Sequence, residues 1–438
     1  MTPESLLAAQ LLASLAARGV ADSSALQAAL GRSQPTVSRL LAAASPQLLV
    51  LGAGRSTRYA MPQAILGQPA QQPIVAVHED GRIEPWGRLA FIRGQRLHVQ
   101  APGIDLLMQG RLPWFLAPLR GEGFIGRQQA RELSAWGLPA NPEQWTLEQT
   151  LFAALHTPDA PGALHLGDAL AQAALPAAVA VPRAAEAADS WDLLADATAA
   201  SGPAGSSAGG EQAKFLTRNN GDGAALLVKF SPPRGSPFGI RWHDLLHAEA
   251  LALSVLSEHG VAVAEVRVVE TARRTYLASR RFDRHGPQGR SHVVPLHAVH
   301  DAFVPGPRRH WAATCEALVR QRRLPAEAAA QAQALLHFGR LIGNNDMHFG
   351  NLSLRVALPE LAAGRFTLAP AYDMLPMRWR PDINSGELGL LPFTPEPIDL
   401  QSPARAVAAR FWQRAATASP LSAEFRELAA EMARRLAG

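Results

Sequence analysis

The chain is 438 residues long, 47% hydrophobic and 18% charged, with a formal net charge of +5 at pH 7; this excludes global disorder and exceeds one simple core, so two to four domains or subdomains are expected. The single cysteine, Cys315, excludes an intrachain disulfide, and without a Cys-x-x-Cys pair there is no cysteine-built zinc site. The lone cysteine makes a reducing cytoplasm the expected location, and since no apolar run reaches the ~18 residues needed to cross a bilayer, no membrane partner is expected.

The first segment carries Glu4 where a secretory leader needs positive charge, and its apolar residues recur at helical spacing. Residues 4 to 18 are therefore predicted to form a helix ending near Gly19. Asp22 is placed to cap SSALQAAL, Gly31 to stop it, and Ser33 to open QPTVSRLLAAA, which is the spacing of a helix-turn-helix. Gln34, Thr36, Ser38 and Arg39 then fall near the start of the second helix, where base edges are met. LLVLGAGRSTRYAMP reads as a wing of two extended runs, with Arg55 and Arg58 suited to DNA phosphates. Over residues 1 to 65, Arg18, Arg32, Arg39, Arg55 and Arg58 stand against Glu4 and Asp22, a local charge of 5 − 2 = +3. The competing reading is a winged helix used only for dimerisation or packing. GAGRST lacks the third glycine of a dinucleotide fingerprint, and no Rossmann unit follows.

Residues 73 to 130 are rich in strand-like segments broken by glycines, and about 146 to 200 is Ala-rich with a mostly helical pattern. SSAGGEQAKF, 206 to 215, has the composition of a linker. It leads, however, into AKFLTRN and AALLVKFSP, two predicted strands joined by NGDG. A glycine-rich loop feeding a hairpin can offer backbone amides to phosphates. Lys229 on the second strand is flanked by Val228 and Phe230, so it faces the other way and needs an anionic partner. Of 42 basic residues 40 are arginine, and the two lysines, Lys214 and Lys229, are 15 residues apart. Such sites suit a compact ammonium on a flexible stem. The following helix carries Glu249, in the order by which a kinase strand lysine meets phosphate oxygens and a helix glutamate.

The strongest signal is IGNNDMHFGNLSL, 342 to 354, where Asp346 precedes Asn351 by five residues. This is the D-x-x-x-x-N spacing of a phosphotransfer loop, in which the Asp accepts the substrate proton and the Asn binds magnesium. Three of the chain's seven asparagines fall within 344 to 351. Asp373, 22 residues beyond Asn351, stands where a second metal-binding carboxylate is expected. Turn-capping alone would account for Asp346, Asn351 and Asp373 one at a time, but not for the order of glycine loop, lysine, glutamate, D-x-x-x-x-N and aspartate.

SAGGEQAKF, LLVKFS, RRFDR at 280 to 284, IGNNDMHFGNLS and AYDMLP together resemble the HipA-like serine/threonine protein kinases, the toxins of bacterial toxin-antitoxin modules, over about 73 to 400. The N-terminal helix-turn-helix resembles the YjjJ branch of that family. The resemblance implies an α+β chain of four parts: a winged helix-turn-helix at 1–65, a HipA-like N-terminal subdomain at 66–200, and a two-lobed kinase fold. Of the lobes, 201–298 is a mixed α/β N-lobe and 299–438 a mostly helical C-lobe. Carried over, it makes Lys229 the ATP-phosphate lysine, Asp346 the catalytic base, and Asn351 and Asp373 the ligands of Mg2+. Ser207, Ala208, Gly209, Gly210, Glu211 and Gln212 become the phosphate loop, supported by Lys214, and Glu249 the partner of Lys229. Ser207 also matches the position at which such kinases phosphorylate themselves, and phosphate there implies an off-switch.

The function so implied is an ATP and magnesium-dependent serine/threonine kinase that restrains growth by phosphorylating a cellular protein, aminoacyl-tRNA synthetases being targets in the best-known branch. The alternative is a transcriptional regulator whose kinase-like body binds nucleotide without transfer. Two departures stand out: HFGN lacks the family's basic residue before Asn351, and a helix-turn-helix is fused in front where better-known systems use a separate antitoxin. A separate antitoxin and a homodimer are both left open. Walker A is absent. His292, His297 and His300 lack a metal-binding spacing and read as surface histidines; RRH at 308 to 310 and RQRR at 320 to 323 read as solvated helix face.

Overall fold

Capping chemistry sets the N-terminal elements, which open a computed structural model that describes residues 3–157, 159–167, 188–200, 212–219, 221–381 and 392–437. The helix Pro3–Arg18 stops at Gly19, whose φ of +76° is left-handed. Strand β1 (Val20–Asp22) ends on the cap of the helix Ser23–Leu30: Asp22 Oδ1 accepts from Ala25 N at 2.8 Å, and Gly31 closes the helix at φ +60°. Ser33 precedes the helix Gln34–Ala44, its hydroxyl bonded to Thr36 Oγ1 at 3.2 Å instead of to backbone. Strands β2 (Leu49–Leu51) and β3 (Arg58–Ala60) complete an antiparallel sheet in the order β1-β3-β2. Leu11, Leu15, Leu26, Val37, Leu40 and Leu41 form its core.

Strands β4 (Gln71–Val77), β5 (Ile83–Ile92), β6 (Arg96–Ala101), β7 (Ile104–Gln109) and β8 (Leu164–Leu166) make a second antiparallel sheet, ordered β7-β6-β5-β4-β8. The helices Gly123–Glu132 and Leu147–Leu155 lie between β7 and β8. β8 is a strand inside the stretch with helical composition, because alanine-rich sequence does not override pairing with β4.

A third sheet holds β9 (Lys214–Arg218), β10 (Ala225–Phe230), β11 (Val266–Glu270) and β12 (Thr275–Arg280) in the order β11-β12-β10-β9. Alternation sends Val228 and Phe230 to one face, where they pack with Trp191 and Ala195 of the helix Ala188–Ala200. That helix precedes position 201 in sequence yet covers this sheet. Lys229 points to the other face, toward the 22-residue helix Pro237–Glu258.

Short strands β13 (Arg284–His285) and β14 (Gly289–Arg290) form a hairpin; β15 (Val293–Pro295), β16 (Ser353–Arg355) and β17 (Thr367–Leu368) form a three-stranded sheet. The rest is mostly helical: Leu296–Phe303, Trp311–Arg320, Ala326–Leu341, Ala404–Thr417 and Ala423–Ala437. One hydrophobic cluster runs from the second sheet through the helix Pro237–Glu258 into these helices, with Trp311, Phe338, Phe411 and Trp412 among its buried members. Among the described residues no helix is long and apolar enough to cross a membrane.

RRFDR forms a buried ionic brace between parts distant in sequence. Arg281 bonds Asp283 at 3.0 and 2.9 Å and Asp159 at 2.7 Å; Arg284 bonds Asp159 at 2.8 Å and also Asp283; Gly162 N donates to Asp283 at 3.0 Å. Burial opposes the charge of Asp283, but Arg281 and Arg284 outweigh it and hold its carboxyl far below the usual range.

Candidate active site

The two lysines of the chain face one another: the β9–β10 register pairs Lys214 with Lys229. Like charges directly opposite on a sheet repel, and two carboxylates offset them. Lys229 Nζ donates to both oxygens of Glu249 at 2.7 Å and also to Asp373 Oδ1. Glu249 is only 2% exposed, a burial that a carboxylate tolerates when paired.

Asp373 is one of four non-glycine residues described with positive φ, at +55°. Aspartate accepts this conformation better than most residues, at a cost of about 1–3 kcal/mol that surrounding bonds must offset. Those bonds are visible: Asn344 Nδ2 donates to Asp373 O at 3.0 Å, and the neighbouring Ala371 exchanges backbone bonds of 2.9 Å with Ala262 and Ala264.

Asn344 also organises the loop that follows the helix Ala326–Leu341. Its Oδ1 accepts from Asp346 N at 3.0 Å, while Asn351 Nδ2 donates to Asp346 O at 2.8 Å. Asn351 uses one amide hydrogen this way and keeps its oxygen as an acceptor. Tyr372 OH donates to Gly350 O and pairs with Ser353 Oγ, both at 2.7 Å, and Trp311 Nε1 donates to His348 O at 3.1 Å. The loop bearing Asp346 and Asn351 is thereby tied to the segment bearing Asp373.

Burial works against the Lys229 ammonium, but Asp373 and Glu249 outweigh it and hold its pKa above the ordinary lysine range. For Asp373, burial is outweighed by Lys229 and then Lys214, which keep its carboxyl below the usual range. Glu249 is raised by burial against the pull of Lys229. Ammonium groups on one wall and hard oxygen donors on the other suit a polyanion bound together with a divalent cation.

Of the sequence candidates, the structure brings together Lys214, Lys229, Glu249 and Asp373, with Asp346 and Asn351 joined to them through Asn344. Ser207, Ala208, Gly209, Gly210 and Glu211 lie outside the described residues. Gln212 donates through Nε2 to Phe230 O at 3.0 Å, anchoring the start of β9 to the end of β10. In the N-terminal unit Gln34, Ser38, Arg39 and Arg58 are exposed and Thr36 is half-buried; of Arg55 only the backbone is described.

The surface reading of His292 and His300 is wrong. His292 is buried, its Nδ1 accepting from Ala163 N at 3.1 Å and its Nε2 donating to Phe115 O at 3.0 Å, and burial pushes its pKa down to about 4. His300 is buried against Thr314 Oγ1 at 2.8 Å and Gly306 O at 3.1 Å. Sequence spacing carries no information on burial at isolated polar residues. Asn344 and Tyr372 were not identified from sequence as positioning residues; the one available signal was the crowding of asparagines at 344 to 351.

Residues 206–437 match the family described as the HipA-like C-terminal domain, and residues 68–175 match the YjjJ-like toxin, middle domain. Toxin YjjJ of Escherichia coli (strain K12) is 32% identical over 451 residues, covering 97% of both chains. Two solved structures are more distant. HipA of Shewanella oneidensis MR-1, in a complex with HipB and operator DNA, is 16% identical with a TM-score of 0.48, covering 83% of this chain and 95% of that one. The Helicobacter pylori proinflammatory kinase CtkA is 15% identical with a TM-score of 0.34, covering 52% and 87%. With one family match spanning more than half of the chain and a relative aligned along nearly all of it, the chain belongs to the HipA-like family, in the branch of the YjjJ-like toxins.

Proposed function

We propose that the chain is an ATP and magnesium-dependent protein serine/threonine kinase acting as the toxin of a HipA-type toxin-antitoxin system. The observation that carries this reading is the Lys229 ammonium held between Glu249 and Asp373, with Asn344 linking Asp373 to the Asp346 loop. The E. coli relative's name supports the toxin role.

The residues fit magnesium: Asn351, its amide nitrogen donating to Asp346 O, offers an oxygen, and Asp373 offers a carboxylate. Bound there, the ion supplies charge neutralisation at the transferring phosphoryl group. Lys229, oriented by Glu249, binds phosphate oxygens of ATP, and Lys214 adds a second ammonium on the same face of the sheet. Asp346, its backbone fixed on both sides, orients the substrate hydroxyl and takes its proton. Ser207 is the proposed autophosphorylation site and off-switch, and Ser207 to Gln212 the phosphate loop.

The N-terminal unit is proposed to be a winged helix-turn-helix that contacts DNA. The exposure of Gln34, Ser38, Arg39 and Arg58 and the local +3 charge support this.

Radiolabelled ATP and magnesium with the full chain provide the test. Label is expected on the protein itself or on a lysate protein, lost in Asp346→Ala, and lost from the protein itself in Ser207→Ala. No transfer by the wild type, with DNA binding intact, favours a regulator whose kinase-like body binds nucleotide without catalysis.

A further inference from the structure

His243 and His247 are four residues apart on the helix Pro237–Glu258 and so share one face of it. Glu270, at the end of β11, closes the third side. One donor atom from each residue lies within 4.8 Å of the other two, and the imidazole centroids are 4.6 Å apart. Both histidines are partly covered, and Glu270 opens to solvent, which leaves a path of entry.

The hydrogen bonds around this cluster have the pattern of a ligand shell with outer partners. Pro420 O can only accept, so His243 Nε2 carries the hydrogen of their 2.7 Å bond and Nδ1 keeps the lone pair, against which the Thr275 hydroxyl sits at 2.6 Å. A metal-bound imidazole characteristically donates its other N–H to a backbone carbonyl in this way. Glu270 presents Oε1 to His247 Nε2 at 2.8 Å, while Arg234 holds Oε2 and also donates to Thr275 Oγ1 at 3.3 and 3.2 Å. The carboxylate is thus oriented by an outer cation, with one oxygen directed inward.

We propose that His243, His247 and Glu270 form a zinc-class transition-metal site, separate from the magnesium ligands, that braces the helix carrying Glu249 to β11 and to the segment between the last two helices. Two imidazoles with one carboxylate select an ion of borderline softness over the oxygen-seeking magnesium and calcium. On binding, the ion replaces the Thr275 hydroxyl at His243 Nδ1. It also replaces the hydrogen between His247 and Glu270, and the neutral His247 ring carries its proton on Nδ1 instead. Water takes the fourth position.

The full chain, stripped with a chelator, is titrated with Zn2+ against a chromophoric zinc competitor, and separately with Co2+ followed by visible absorption. One Zn2+ per chain is expected, unaffected by millimolar Mg2+, with affinity reduced at least about 100-fold in His247→Gln and in Glu270→Gln. The outer-shell variant Arg234→Met is expected to lose about 10- to 100-fold. Co2+ should give the intense bands of a four-coordinate site in the wild type alone. Glu270 is exposed, so its variant keeps the fold, checked by circular dichroism. No stoichiometric zinc binding, or undiminished binding in folded Glu270→Gln and His247→Gln, overturns the proposal.

Discussion

Lys214 and Lys229 stand directly opposite one another across β9 and β10, on the sheet face that Glu249 covers. A cation pair in that register repels unless anions share its space, and Glu249 and Asp373 supply them. Arginine is used at every other lysine-or-arginine position in the chain. A compact ammonium can converge on two carboxylates at once, where a planar guanidinium would need a wider, coplanar arrangement.

Lys229→Met should remove phosphoryl transfer and leave Glu249 buried without its counter-charge. The stability loss expected on breaking one side of such a buried pair is about 3–5 kcal/mol, measured by urea unfolding. Lys214→Met leaves the Lys229–Glu249 bond in place. Its effect should appear chiefly as an ATP dissociation constant weakened about tenfold, the size of one modest charge-assisted interaction.

Asn344→Ala should lower both stability and transfer rate, although Asn344 is not one of the groups proposed to touch substrate. The variant leaves Asp373 O and Asp346 N without their present partner. The expected loss is about 1–3 kcal/mol in unfolding, with kcat falling more than the ATP dissociation constant rises. A variant with wild-type kcat would remove Asn344 from the positioning network.

Acid should destabilise the fold as pH falls below neutrality. His292 has a folded pKa of about 4 against an ordinary 6.5, so between these values the unfolded chain binds the additional proton. Stability is therefore complete above about pH 6.5 and falls as pH drops toward 4, by about 3 kcal/mol for this one group. His165 is shifted downward in the same sense by burial and then Arg290, and adds to the slope. His292→Gln should flatten the dependence between pH 7 and 5 in thermal or urea unfolding.

Arg39→Ala and Arg58→Ala, both at exposed positions, should weaken DNA binding and reduce its salt slope by about 0.9 for each DNA phosphate that the variant no longer neutralises. ATP binding and transfer should be unchanged. Absence of salt-sensitive DNA binding by the wild type would make the N-terminal unit a packing or dimerisation module.

Local chemistry was legible wherever the deciding interaction lies within a few residues. Asp22 and Gly31 bound their helix as their types predict, and the alternation around Lys229 places it opposite the faces of Val228 and Phe230. The D-x-x-x-x-N spacing marked the loop that Asn344 and Tyr372 hold. Burial of His292 and His300 was not legible, since it depends on Phe115, Ala163 and Thr314 arriving from other elements. RRFDR was visible as a family motif, but its role as a brace required Asp159, over a hundred residues earlier in the chain.

By itself the sequence determined the inventory of the candidate site: two lysines in an arginine-rich chain, a helix glutamate, and Asp346, Asn351 and Asp373 in order. Only the tertiary structure decided the pairing. Lys229 meets Asp373 across 144 residues, and a left-handed φ at Asp373 is retained because Asn344 and the Ala371 bridge hold its backbone. Spacing along a chain encodes which side chains share a strand face or a helical turn. Which distant carboxylate shares a buried ammonium depends on how the packed sheet and helices bring their backbones together.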